Sequence, residues 1–110
     1  MAYKVRMTRR AQAQLADYVG YIRDHFKNPQ AAKVVTVYAR RTKEALERVA
    51  ESLDYCDDPL LREMGYRVIL FRQHRYLFLY SVRDSIVYVE AVYHELQDYE
   101  NLFKREADLE

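Results

Sequence analysis

The apolar positions of this chain change period partway along. In the first half they recur at helical spacing, and from Tyr66 onward they come in short, dense runs. Tyr3-Lys4-Val5-Arg6-Met7 alternates apolar with basic, which predicts a short strand with one buried face. Thr8 then stands where a helix N-cap belongs, since its hydroxyl can accept an unpaired amide proton of the first turn. From Ala11 the apolar residues continue at Leu15, Tyr18, Val19, Ile22 and Phe26, one stripe of an amphipathic helix. Asn28-Pro29 ends that helix and opens another. Asn28 suits an N-cap, and Pro29 suits the first helical position, where its missing N–H costs nothing. The second helix is predicted from about Pro29 to Leu53, with Ala31, Val34, Val35, Tyr38, Ala45, Leu46, Val49 and Leu53 as its apolar stripe. Glu44 and Arg48, four apart, are placed to pair on its polar side. So short a joint folds the two helices into an antiparallel hairpin.

Asp54 to Glu63 reads as a loop with Pro59 as its breaker, and three strands follow at 66–72, 75–83 and 86–93. The turns between them fall at Gln73-His74 and Asp84-Ser85. Neither carries the Asn-Gly signature, so periodicity alone places the hairpins. Connections this tight leave no room for crossovers, and the three strands form an antiparallel meander. Tyr76, Phe78 and Tyr80 alternate onto one face of the central strand, as a sheet packed on helices requires. Asp98 to Lys104 is predicted as a short terminal helix. The fold class is α+β in a single domain spanning residues 1–110: N-terminal strand, helical hairpin, three-stranded sheet, short helix. An RNA-recognition motif needs a strand pair between its helices, and only Asn28-Pro29 stands there.

Composition narrows the function. A chain of 110 residues buries enough surface to fold unaided. Its single cysteine, Cys56, excludes an internal disulfide framework and fits a reducing, cytoplasmic setting. Cys56 itself is expected in an exposed loop. No apolar run reaches the length of a membrane span, and the charged start MAYKVRMTRR has no signal-like apolar core. Net charge is +1, but residues 1–50 carry eleven Lys/Arg against four Asp/Glu, while residues 51–110 carry seven against thirteen. The first half is thus +7 and the second −6, and such a basic field attracts nucleic acid or an acidic protein partner. No metal-ligand cluster, phosphate-cradling glycine loop or nucleophile elbow is present, and no cofactor is expected.

Several segments, taken in order, resemble the RelE/ParE toxins of bacterial type II toxin–antitoxin modules. They are Tyr3-Lys4-Val5-Arg6-Met7-Thr8-Arg9-Arg10-Ala11 at the opening strand and cap, Asn28-Pro29-Gln30-Ala31-Ala32 at the helix joint, and Gly65-Tyr66-Arg67 at the entry to the meander. Tyr76-Leu77-Phe78-Leu79-Tyr80-Ser81-Val82 resembles the central strand, and Val92-Tyr93-His94 with Asp98-Tyr99 resembles the closing strand and tail. The resemblance implies a cognate antitoxin as partner and one of two actions. RelE-like members cleave messenger RNA in the ribosome; ParE-like members inhibit DNA gyrase without chemistry of their own. The nuclease branch places an arginine one residue after the tyrosine matched by Tyr76, where this chain has Leu77. It places a basic or His-Tyr element after the last strand, where this chain has His94-Glu95-Leu96. The resemblance is therefore closer to ParE.

The nuclease alternative assigns catalysis to Arg75, Arg67, His94 and Tyr99, with Glu63 or Glu95 as a further carboxylate. Arg75 shares a strand face with Leu77 by the two-residue period, so a register slip of two would put it at the nuclease position. His94 is of the residue type most often used for acid–base catalysis but also suits a strand end as a structural group. Arg40, Arg41, Arg67, Arg72 and Arg75 are the candidate partner-binding residues, for an acidic antitoxin or an acidic gyrase surface. A non-toxic relic or regulator that only binds its antitoxin is the third reading.

Overall fold

The computed structural model describes residues 2–72 and 75–109. Its elements are β1 (Lys4–Met7), α1 (Arg9–Asp24), α2 (Pro29–Val49), α3 (Pro59–Glu63), β2 (Arg67–Leu70), β3 (Tyr76–Arg83), β4 (Ile86–His94) and α4 (Tyr99–Glu106). The class is α+β, as the sequence predicts. The local signals act where expected. Thr8 caps α1 through its hydroxyl, which accepts from the Ala11 amide at 3.2 Å, and the Asn28 side chain caps α2 by accepting from Ala31 at 3.0 Å. On α2 the ion pair is Arg40–Glu44 at 3.8 Å, and Arg48 instead donates to the Glu44 carbonyl at 3.4 Å. Helix α2 ends at Val49, short of Leu53. The expected loop 54–63 contains α3, whose N-cap Asp58 accepts from the Leu60 and Leu61 amides.

The sheet order is β1-β4-β3-β2. β2, β3 and β4 form the antiparallel meander, and β1 joins β4 in parallel, so the sheet is mixed. The β3–β4 turn is tight because Asp84 and Ser85 both take positive φ, 52° and 64°. That is the pairing of a type I′ turn, reached without glycine. The Gln73-His74 turn lies outside the described residues. Among those described, no helix is long and apolar enough to cross a membrane.

Both sheet faces are covered. The hairpin face holds Ala11, Val35, Ala39, Leu46, Phe78, Tyr80, Val87, Val89 and Val92, with Tyr80 donating to the Ala50 carbonyl at 2.6 Å. The opposite face holds a second core of Cys56, Leu61, Leu77, Leu79, Ala91, Tyr93 and Phe103, closed by α3 and α4. Cys56 is thus 1% exposed rather than lying in an open loop, and burial raises its thiol pKa to about 12.

One irregularity sets the geometry at the end of β4. Leu79 pairs with Ala91 and Tyr80 with Val89, which leaves Glu90 unpaired as a β-bulge. Thr8 occupies the gap: its amide donates to the Val89 carbonyl at 3.0 Å and its hydroxyl to the Glu90 carbonyl at 3.1 Å. Gln14 accepts from the Val92 amide at 2.8 Å. The bulge reverses the parity of the strand. Val87 and Val89 face the hairpin before it, Val92 faces the hairpin after it, and Ala91 and Tyr93 face α4.

Candidate functional site

The parity change decides where the candidate residues go. His94, two residues after Val92, falls on the hairpin face and meets the Tyr76 ring edge-on, centroids 5.2 Å apart. Tyr76 in turn contacts Tyr18 of α1 at 5.0 Å. The His94 Nδ1 accepts from the Leu96 amide at 3.1 Å, so a neutral ring carries its proton on Nε2. The His94 amide donates to the Gln97 side-chain oxygen at 2.8 Å, and the Tyr18 hydroxyl donates to that same oxygen at 2.7 Å. These bonds fix the ring and the turn that follows it.

Arg75 belongs to the other face. It precedes Leu77, a member of the α4-side core, by one strand period, and it pairs with Glu95 at 3.5 Å. The Glu95 amide donates to the Arg75 carbonyl at 2.7 Å, which holds the two residues together. Tyr99, at the start of α4, lines an open cavity of about 540 Å3 on this face with Glu95, Asp54, Asp57, Tyr55 and Leu77. Burial raises the Tyr99 hydroxyl pKa above its ordinary value, and the Glu100 carboxylate raises it further. A phenol shifted that way stays protonated near neutral pH and offers no phenolate to act as a base.

Arg67 is removed from both groups. It pairs with Tyr80, whereas Tyr76 pairs with His94, so the two positions lie four residues apart along β3, roughly 13 Å. Its guanidinium donates to the Leu53 carbonyl and sits over the Tyr55 ring at 3.9 Å. It ties the segment after α2 to the sheet. Glu63 ends α3 and is exposed. The structure therefore brings Arg75, Glu95 and Tyr99 to one face, places His94 on the other, and puts Arg67 at the far end. A phosphodiester entering beside Tyr99 would meet Asp54, Asp57 and Glu95, whose charge opposes it.

The basic candidates gather elsewhere. Tyr38, Arg41, Thr42, Ala45 and Arg48 of α2 face Ile69, Leu70 and Arg72 across a groove of about 370 Å3. It continues along α2 into a second hollow of about 350 Å3 that shares Tyr38 and Arg41 and adds Gln30, Lys33, Val34 and Val37. No carboxylate among the described residues lines either part. Arg41 stacks over the Tyr38 ring at 5.3 Å, and neither Arg41, Arg48 nor Arg72 forms an ion pair among the described residues. Arg40 lies outside the groove, engaged with Glu44. Arg48 and Lys33 join the basic set without being singled out by the sequence. Their spacing with Arg41 along α2 was the available signal, and only the packing of α2 against β2 turns it into a groove. No group of three or more His, Cys, Asp and Glu residues among those described could hold a metal ion.

The comparisons with known proteins agree with this architecture. No curated protein matches the sequence. Among solved structures, a chain of the chromosomal ParDE toxin–antitoxin system from P. aeruginosa superposes with a TM-score of 0.68 at 17% identity. The match covers 84% of this chain and 96% of that one. At that identity the likeness shows the fold. The family model for the ParE toxin of the type II toxin–antitoxin system parDE matches residues 5–99, from the opening strand to the first residue of α4. Spanning the greater part of the sequence, that match places the chain in the ParE toxin family of type II toxin–antitoxin systems.

Proposed function

We propose that the chain is a cytoplasmic toxin that acts by binding and inhibiting a target such as DNA gyrase, and that a cognate antitoxin neutralises it. The observation that carries this reading is the division of the candidate catalytic residues between two faces of the sheet, with Arg75 bound to Glu95 and His94 bound into its own turn. Cleavage by 2′-OH attack needs a base, an acid and a cation converging on one phosphate. Inhibition by binding needs a surface. The basic groove along α2 provides one, and its uncompensated arginines suit an acidic antitoxin segment or an acidic face of the target.

The purified chain is expected to inhibit gyrase supercoiling and to leave ribosome-bound messenger RNA intact. Failure to inhibit supercoiling at excess chain sinks the gyrase assignment. The ribonuclease alternative keeps one point in its favour: Arg75 and His94 stand at adjacent strand ends. Ribosome-programmed cleavage lost in both Arg75→Ala and His94→Ala would establish it in place of inhibition. Absence of growth arrest on induction without antitoxin would favour a relic that binds its antitoxin and nothing else.

A further inference from the structure

The sheet ends at β2, and that edge is open over part of its length. The Phe71 amide donates to the Tyr76 carbonyl on β3 at 2.7 Å. By the two-residue alternation of an antiparallel pair, Ile69 and Arg67 also turn their backbone groups toward β3, and Val68 and Leu70 turn theirs outward. One step earlier on the outward side, the Tyr66 carbonyl is taken by the Cys56 amide at 2.9 Å, and Tyr55 bridges Arg67. Beyond that cover, no strand among the described residues meets Val68 or Leu70, and Leu70 is 56% exposed. Proteins usually protect such an edge with charge, a bulge or a covering segment, because it templates strand addition.

The two sides of this edge carry opposite charge. On the hairpin side lie Arg41, Arg48 and Arg72. On the α4 side lie Asp54, Asp57 and Glu95, in the cavity of about 540 Å3. Ile69 and Leu70 line both hollows and form the ridge between them. Asp57 and Glu95 have exposed partners in Arg62 at 3.8 Å and Arg75 at 3.5 Å, which leaves the basic side as the stronger field. Side chains of an added strand would project alternately into these two hollows.

We propose that the β2 edge takes up an extended segment of the antitoxin as an added strand, with acidic side chains toward α2 and apolar or basic side chains toward α4. This rests on the antitoxin reading above and specifies the chemistry of the segment. A second copy of the chain is the weaker occupant. Antiparallel β2–β2 pairing puts like faces together and sets Arg41, Arg48 and Arg72 against their own copies, which is repulsive.

The test uses a peptide probe, Glu-Lys-Glu-Val-Glu-Lys-Glu-Val, against a control of the same composition with its glutamates in one block. The alternating probe is expected to bind at low ionic strength and to slow hydrogen exchange at the Val68 and Leu70 amides. Methylating the probe's edge-facing amide nitrogens is expected to abolish binding, and methylating the others to leave it. Arg48→Glu with Arg72→Glu should weaken binding by about tenfold or more. Equal binding of the blocked control, or free-rate exchange at Val68 and Leu70, overturns the proposal. So does a chain that dimerises alone with those amides protected. Co-expression with the product of any small acidic reading frame that adjoins the chain's own gene separates this from the antitoxin reading. Co-purification with Val68 and Leu70 unprotected overturns the edge inference alone. Failure to co-purify while the probe binds removes the antitoxin as occupant.

Discussion

Phe103→Ala probes the second core directly. Phe103 is 1% exposed and is the buried residue of α4. It meets Tyr66 edge-on with centroids 5.1 Å apart and lies beneath the Arg10 guanidinium at 5.9 Å. Its cluster includes Leu61, Leu77, Leu79 and Tyr93, so truncation opens a cavity walled by strand residues that cannot collapse inward without breaking the β3 and β4 ladders. Transfer and cavity terms together cost about 3–5 kcal/mol. A domain of this size holds about 5–15 kcal/mol in all. At roughly 4–8 °C per kcal/mol, the melting temperature falls by at least about 12 °C. Phe26→Ala is the internal control: Phe26 is 64% exposed, and its loss should cost no more than about 0.5 kcal/mol. Urea denaturation followed by circular dichroism gives both values. If the two variants unfold at the same midpoint as the unmodified chain, α4 is not docked on the sheet and the two-core account fails.

Two further predictions follow from the covered face and from the β3–β4 turn. Burial raises the Cys56 thiol pKa from 9.0 to about 12, so folding favours the protonated form. The stability this contributes is complete below pH 9 and is lost as pH rises toward 12, and at pH 9 iodoacetamide should alkylate the native chain at least about a hundredfold more slowly than the denatured chain. Comparable rates in the two states would show that Cys56 is not enclosed. At the turn, Asp84→Asn with Ser85→Gly replaces two residues held at positive φ by the pair that the turn prefers, and should stabilise the fold by about 0.5–1 kcal/mol. A fall in melting temperature would contradict the assigned turn geometry.

The helical hairpin was legible in the sequence because its signals are local. Thr8, Asn28 and Pro29 act within one turn of their own position. What escaped depends on residues distant in sequence. Nothing in Tyr3–Met7 says that its strand pairs with β4, about 80 residues away and in parallel. Cys56 looks exposed among Asp54, Asp57 and Asp58, and becomes buried only when α4 folds over that segment. There Lys104 reaches Asp58 at 2.6 Å, and Glu100 accepts the Asp58 amide at 2.9 Å. The basic groove was half visible: Arg41 and Arg72 read as binding residues, but Arg48 and Lys33 join them only through the packing of α2 against β2.

The bulge at Glu90 is the least legible feature and the one with the widest effect on the candidate site. Past Glu90 the strand is buried on both faces, at Ala91, Val92 and Tyr93, so the apolar run there does not show in the sequence which residue faces which side. Simple alternation from Val87 and Val89 would carry Ala91 and Tyr93 to the hairpin face and leave His94 on the α4 face with Arg75 and Tyr99. The extra residue reverses this. Val92 enters the hairpin core, Tyr93 reaches Glu106 of α4, and His94 turns to Tyr76. The groups that hold the bulge, Thr8 and Gln14, belong to the cap and second turn of α1. The same cap that starts the first helix therefore fixes the strand parity that separates His94 from Arg75.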